Sequence, residues 1–253
     1  MDKMSIMKVK KICLVTGVSS GIGEHLARLL IQQGWLVIGI ARREEVLEKL
    51  EKELGTDVFI SYRCDVTQPD QISAVTASLK EKDQIPCLFF LNAGEGWGED
   101  HKSMNVGDQQ KVFDVNYFGA IRWIEEWFPL VKDRETTFVA MSSLITLFPA
   151  PFSIAYCASK TALSSYFQSL RLRYNRGPVR FITVLPGGIK TALYKGDKIP
   201  PLTWTPDKAA RYILRKVFSC KEVIAFPFLW VCFFRLLNLM PKSLAARILR
   251  RSY

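Results

Sequence analysis

Short, continuously apolar runs alternate with amphipathic stretches along most of this chain, and that alternation leaves few folds open. Runs at 11–16 (KICLVT), 35–41 (WLVIGIA), 58–63 (VFISYR), 87–91 (CLFFL), 136–141 (TTFVAM) and 179–185 (VRFITVL) have the length and residue content of strands. Most are apolar on both faces, as strands are when helices cover both sides of a parallel sheet. Helical periodicity fills the gaps at 22–33, 44–54, 69–82, 109–131 and 154–175, with Gly34 and Gly55 as stops after the first two. The alternation predicts an α/β fold on one doubly wound parallel sheet. The 253 residues suit one such domain, and an apolar fraction of 49% with a mean hydropathy of +0.08 excludes a disordered chain. The expected division is a domain over 1–227 and an apolar, basic extension over 228–253.

The first strand ends in a glycine turn, Thr16-Gly17-Val-Ser19-Ser20-Gly21-Ile22-Gly23. Doubly wound sheets bind ligands at the carboxyl ends of their strands, which is where this turn lies. Gly17 and Gly21 permit a tight turn, Gly23 permits close backbone approach, and the helix start behind them offers free N–H groups to a phosphate. A sharp strand-to-helix turn alone would use the same glycines, but their position favours a dinucleotide. At the end of the second strand, where an acid would accept the ribose hydroxyls of NAD, the chain carries Ala41-Arg42-Arg43. Arg42 and Arg43 suit a 2′-phosphate and favour NADP(H) over NAD(H), although both also read as solvated residues at a helix start.

Tyr156 and Lys160 stand four apart, on one face of the helix at 154–175. An ammonium beside a phenol lowers the phenol's pKa and makes a proton donor and acceptor suited to a carbonyl/alcohol couple. Chance supplies many such pairs. Here Ser143, thirteen residues upstream, and the glycine turn give the pair a context.

Together with Cys64-Asp65-Val66, Leu91-Asn92-Ala93-Gly94, Asn116 and Pro186-Gly187-Gly-Ile189-Lys-Thr191, these motifs resemble the short-chain dehydrogenase/reductase family over roughly residues 10–220. The resemblance implies a Rossmann-type sheet and an NADP(H)-dependent oxidoreductase. It assigns Tyr156 as general acid or base, Lys160 as the residue that tunes Tyr156 and binds the nicotinamide ribose, and Ser143 as the holder of the substrate oxygen. Asn116 would anchor a water relay to Lys160. In the cofactor site it places Gly17, Ser19, Ser20, Gly21, Ile22, Gly23, Arg42 and Arg43, with Asp65 and Val66 by the adenine. Asn92 would bridge strands beneath the cofactor, with Ala93 and Gly94 near the adenine ribose. Pro186, Gly187, Ile189 and Thr191 complete the set, Thr191 at the carboxamide. The chain departs from the family in having Leu91 where many relatives carry Asn, and in its C-terminus.

Trp97 and Phe148, with Glu95, Leu144, Phe152, Tyr194 and Trp204 nearby in sequence, are candidates to line a substrate pocket, and their apolar character suggests a hydrophobic carbonyl or alcohol. Residues 193–206 are expected to form a lid. The two long helical patterns could pair between subunits, giving a homodimer or homotetramer. The basic start lacks an apolar stretch behind it, and six unpatterned cysteines suit reduced thiols, so a cytoplasmic location is expected. With two histidines and no ligand spacing, no metal site is expected.

From residue 170 onward the chain carries 17 Lys and Arg against 3 Asp and Glu. No nucleic-acid motif accompanies this charge. The apolar run at 228–240 is too short to span a bilayer. It either packs on the domain or a partner subunit, or lies peripherally on an anionic membrane. The competing function is a non-catalytic NADP(H)-binding sensor or membrane-associated scaffold.

Overall fold

A computed structural model describes residues 11–96, 105–148, 153–191, 202–219 and 221–241, together with Leu244 and Arg247. Seven strands form one sheet in the order β3-β2-β1-β4-β5-β6-β7, all pairs parallel. They are β1 Ile12–Thr16, β2 Leu36–Ala41, β3 Phe59–Arg63, β4 Leu88–Leu91, β5 Thr136–Met141, β6 Val179–Pro186 and β7 Val223–Phe226. The helices are α1 Gly21–Gln32, α2 Glu44–Leu54, α3 Pro69–Glu81, α4 Val106–Phe113, α5 Gly119–Val131, α6 Ile154–Arg173, α7 Pro206–Phe218 and α8 Phe228–Leu239. The Rossmann-type sheet expected from the sequence is present, with a seventh strand at its β6 edge.

Alternate residues of each central strand enter opposite cores. Cys13 and Val15 of β1 join Leu26 and Leu30 of α1 and Ile213 of α7, whereas Leu14 faces the core of Ile72, Trp123, Trp127 and Phe167. The sheet is therefore covered on both faces, which is why its strands read as unbroken apolar runs. Within the second core, Phe89, Phe138 and Phe181 lie in register across β4, β5 and β6. Their rings stack with centroids 4.5 and 5.6 Å apart. This ladder fixes the pairing of the strands whose ends carry the site.

Three elements differ from the sequence reading. The helix predicted over 109–131 starts at Val106 and is interrupted by a π turn at Asp114–Phe118, between α4 and α5. Helix α7 was not anticipated; Thr205 caps it by accepting from Lys208 N, Pro206 opens it, and it packs against α1. The run after Pro227 is the helix α8, whose Val231 and Leu237 are buried. The expected lid at 193–206 falls mostly outside the described residues, as do Trp97, Phe152 and Tyr194.

Candidate active site

The strand order reverses between β1 and β4, so the chain leaves these neighbours in opposite directions and opens a crevice at their carboxyl ends. Thr16 ties the two ends together. Its Oγ1 accepts from Asn92 N at 2.9 Å and Ala93 N at 3.0 Å. Asn92 Nδ2 donates to the Thr16 and Gly17 carbonyls at 3.0 and 3.3 Å. Asn92 thus lies between the strands, as its expected role requires.

The glycine turn folds over this tie. Gly17 has φ +70° and Gly21 φ +63°, in the region that favours glycine. A Cβ on Gly23 would lie 2.4 Å from Gly17 O and 2.6 Å from Asn92 Nδ2, so no side chain fits there. Ser20 is the N-cap of α1 but makes no capping hydrogen bond among the described residues, leaving the first N–H groups of the helix for an anion. Ile22 packs on the core beneath, and Thr191 Cγ2 comes within 3.0 Å of where a Gly21 Cβ would be. Pro186 ends β6; Gly187 N donates to Phe226 O at 2.7 Å, and Ile189 bridges to Trp204. This backbone cradle, closed to side chains and open to a phosphate, fits a dinucleotide.

At the tip of β2, Arg43 Nη2 donates to Ser19 O at 3.0 Å and to Ser19 Oγ at 2.9 Å. Arg42 Nη1 lies 3.9 Å from Asp65 Oδ2. Both arginines line an open cavity of about 410 Å³ with Glu44, Glu45, Glu48 and Arg63. Asp65 Oδ1 accepts from Thr67 N and Oγ1, each at 2.9 Å, which leaves Oδ2 facing Arg42. Val66 is buried against Gly119, where a Cβ would come within 2.8 Å of Val66 Cγ2.

Asn116 sits in the π turn, which widens the helix by one residue per turn and aims the side chain inward. Its Oδ1 accepts from Glu95 N at 2.8 Å, and its Nδ2 donates to Glu95 O at 2.6 Å and to Ser159 Oγ at 3.1 Å. The side chain is committed to holding the loop after β4 and α6 together. Oδ1 has a second lone pair for the expected relay to Lys160, and both it and Lys160 Nζ lie 3.3 Å from where a Gly94 Cβ would be.

Helix α6 and the end of β5 bring Ser143, Tyr156 and Lys160 to one place. Tyr156 is hydrogen-bonded to Ser143. Ser143 also caps the short 3₁₀ turn at Leu144–Leu147, accepting from Ile145 N at 3.3 Å. Gly96 lies over the Tyr156 ring so closely that a Cβ there would come within 2.4 Å of Cδ2. Burial pushes the Tyr156 phenol up from its usual value, and its hydrogen bond with Ser143 pulls it back. The expected lowering by Lys160 is not among the influences on the phenol. Lys160 Nζ donates to Met141 O at 2.8 Å and stands over the Tyr156 ring, 5.8 Å from its centroid. Burial draws Lys160 itself down to about 8.

Residues 11–198 match the family model described as short chain dehydrogenase. This chain belongs to the short-chain dehydrogenase family. This chain is 32% identical over 193 residues to NADPH-dependent 1-acyldihydroxyacetone phosphate reductase of Saccharomyces cerevisiae, a match covering 76% of this chain and 64% of that protein. To the reductase of the same name from Schizosaccharomyces pombe it is 30% identical over 189 residues, covering 74% and 62%. The chain thus spans under two thirds of the length of these curated relatives. A short chain dehydrogenase from Burkholderia cenocepacia, solved in complex with NADP, superposes with a TM-score of 0.81 at 22% identity, over 94% of this chain and 97% of that one, and shares the fold.

The sequence assigns no role to Thr16, Ser142 or Ser159 in this family member. Ser142 Oγ donates to Lys160 O at 3.0 Å and pairs with Ser164 Oγ at 2.7 Å, so it fixes the turn of α6 that carries Lys160. A hydroxyl closing an otherwise apolar strand, as in β1 and β5, was the available signal. Two expected pocket residues lie in packed clusters. Trp204 stacks on Phe226 at 5.0 Å and belongs to the α7 core. Phe148 is buried with Leu237 of α8.

Proposed function

We propose that this protein is an NADP(H)-dependent oxidoreductase that interconverts a carbonyl and a secondary alcohol. The observation that carries the reading is the meeting of the Ser143 hydroxyl, Tyr156 phenol and Lys160 ammonium at the edge of a side-chain-free cradle. When bound, the dinucleotide supplies or accepts the hydride at its nicotinamide. Gly17, Ser19, Ser20, Gly21, Ile22 and Gly23 would hold its pyrophosphate, and Arg42 and Arg43 a 2′-phosphate. Asp65, Val66, Asn92, Ala93, Gly94, Pro186, Gly187, Ile189 and Thr191 would line its path. Ser143 holds the substrate oxygen by donating a hydrogen bond, which strengthens as negative charge develops there. Tyr156 gives its phenolic proton to that oxygen in reduction and takes it back in oxidation. Burial keeps the phenol of the cofactor-free protein protonated, the form that donates in reduction. Lys160 would hold the ribose hydroxyls, with its charge beside Tyr156.

The aromatic and aliphatic side chains beyond Ser143 support a hydrophobic substrate. The two yeast relatives are named for an acylated ketone phosphate, which has such an apolar chain beside its carbonyl. We place the enzyme in the cytoplasm as a homodimer or homotetramer, with Phe118, Ile154 and Leu172 exposed on the π turn and α6 as candidates for the subunit contact.

The test is a panel of carbonyl compounds with NADPH and with NADH, read at the nicotinamide absorbance band. We expect turnover with NADPH, and Tyr156→Phe to lower kcat by about 10²- to 10⁴-fold while NADPH binding is kept. Tight NADPH binding without turnover of any carbonyl or alcohol would favour the sensor reading instead.

A further inference from the structure

Helix α8 turns apolar residues to both sides. Its inner face, with Trp230, Val231, Phe233, Phe234 and Leu237, packs on Leu144, Phe148 and Leu185 beside the turn that follows Ser143. The opposite stripe follows helical spacing through Phe228, Leu229, Cys232, Arg235, Leu236 and Leu239, and every member is exposed. Phe228, Leu229, Leu236 and Leu239 keep 76, 61, 53 and 84% of their surface accessible. A helix that meets water normally turns charged and polar groups outward, and a continuous apolar stripe marks a surface built to be covered.

Charge selects what covers it. After Glu222 the sequence carries Arg235, Lys242, Arg247, Arg250 and Arg251 and not one Asp or Glu. Arg235 interrupts the stripe itself, and Leu244 and Arg247 are exposed beyond its end. A second copy meeting this stripe through a two-fold axis would face arginine with arginine and offer no carboxylate from the segment. An anionic bilayer supplies both missing halves, hydrocarbon for the ring and leucines and phosphate for the guanidinium groups. Twelve helical residues rise about 18 Å against the ~30 Å of a bilayer core, so the helix can lie along a surface but not cross it.

We propose that α8 docks lengthwise on an anionic lipid bilayer through Phe228, Leu229, Arg235, Leu236 and Leu239. Because the inner face of the same helix packs on the Ser143 turn, docking sets the substrate side of the site against the lipid. On the carbonyl-reductase reading, an apolar substrate dissolved in the bilayer then reaches Ser143 without crossing water.

Full-length protein is sedimented with vesicles of equimolar phosphatidylcholine and phosphatidylglycerol, and with pure phosphatidylcholine. Binding to the anionic vesicles, weakened about tenfold or more on the neutral ones and falling as salt is raised, is the expected result. Leu236→Glu/Leu239→Glu lowers that binding about tenfold or more, with the thermal midpoint and NADPH turnover of a water-soluble carbonyl unchanged. Arg235→Glu, the gentler variant, weakens binding to the anionic vesicles alone. Absence of wild-type binding, or equal binding by the double variant, overturns the proposal. So does a stable dimer that the double variant dissolves while vesicle binding persists. Sedimentation needs no turnover, so an inactive protein that binds leaves docking standing, and an active one that does not bind leaves the reaction standing.

Discussion

Lys160 shows that a side chain can stand beside the neighbour its spacing suggests and spend a hydrogen bond elsewhere. Four residues from Tyr156 on one helix, its Nζ lies 5.8 Å from the phenol ring centroid and donates to Met141 O. Its burial depresses its pKa from 10.5 to about 8, so an unfolded chain holds this proton at pH values where the folded one has released it. The stability of cofactor-free protein therefore rises from about pH 8 to 10.5, by an order of 3 kcal/mol from this residue. Urea titrations across that window should show the rise in wild type, and the difference from Lys160→Met should shrink with pH. A constant difference would mean that Lys160 titrates as it does in water. Gly23 is the other decisive position, because its Cβ would strike backbone rather than a movable side chain. Gly23→Val should reduce NADPH affinity more than tenfold, measured by quenching of tryptophan fluorescence, since the turn must shift to admit it. That clash was legible from the glycine spacing. The turn of Lys160 toward a carbonyl was not, because it depends on where β5 ends in space.

Among the elements, strands were the most legible and the α4–α5 helix the least. The strands β1, β2 and β4 to β6 are largely buried on both faces, so their composition alone betrays them, whereas the edge strands β3 and β7 keep exposed positions. The π turn at Asp114–Phe118 carries no local signature; it exists because the Asn116 carboxamide reaches Glu95 and Ser159, partners 21 and 43 residues away. Helix α7 escaped notice because two of its buried positions are Ala209 and Ala210, which dilute the apolar period of Ile213, Leu214 and Val217. The tip of β2 is an element with its own prediction. Arg43 reaches Ser19 across the mouth of the glycine turn. Arg43→Ala should raise the KM for NADPH by about 10- to 100-fold, the worth of a charge-assisted hydrogen bond, while the KM for NADH changes little. An equal rise for both cofactors would place Arg43 in support of the turn rather than against a 2′-phosphate.

At the scale of the molecule, charge and apolar surface are unevenly spread, and the two ends of the sheet differ in kind. Ile154 and Leu172 are exposed on α6, and the proposed assembly would use them while the proposed docking uses α8. Ile154→Glu/Leu172→Glu should convert an oligomer into monomers in sedimentation velocity with little change in thermal midpoint per subunit. A wild-type protein that is already monomeric at micromolar concentration would refute the predicted assembly. No described helix is long and apolar enough to cross a membrane, in keeping with the short run seen at 228–240. The knot of hydrogen bonds among Thr16, Gly17 and Asn92 pins the floor of the crevice independently of what happens at its two far walls. On the proposed reading, preference between phosphorylated and plain nucleotides would be exercised at one wall and proton chemistry at the other. The two traits would then be modular: either could be redesigned or drift in evolution without retuning its counterpart.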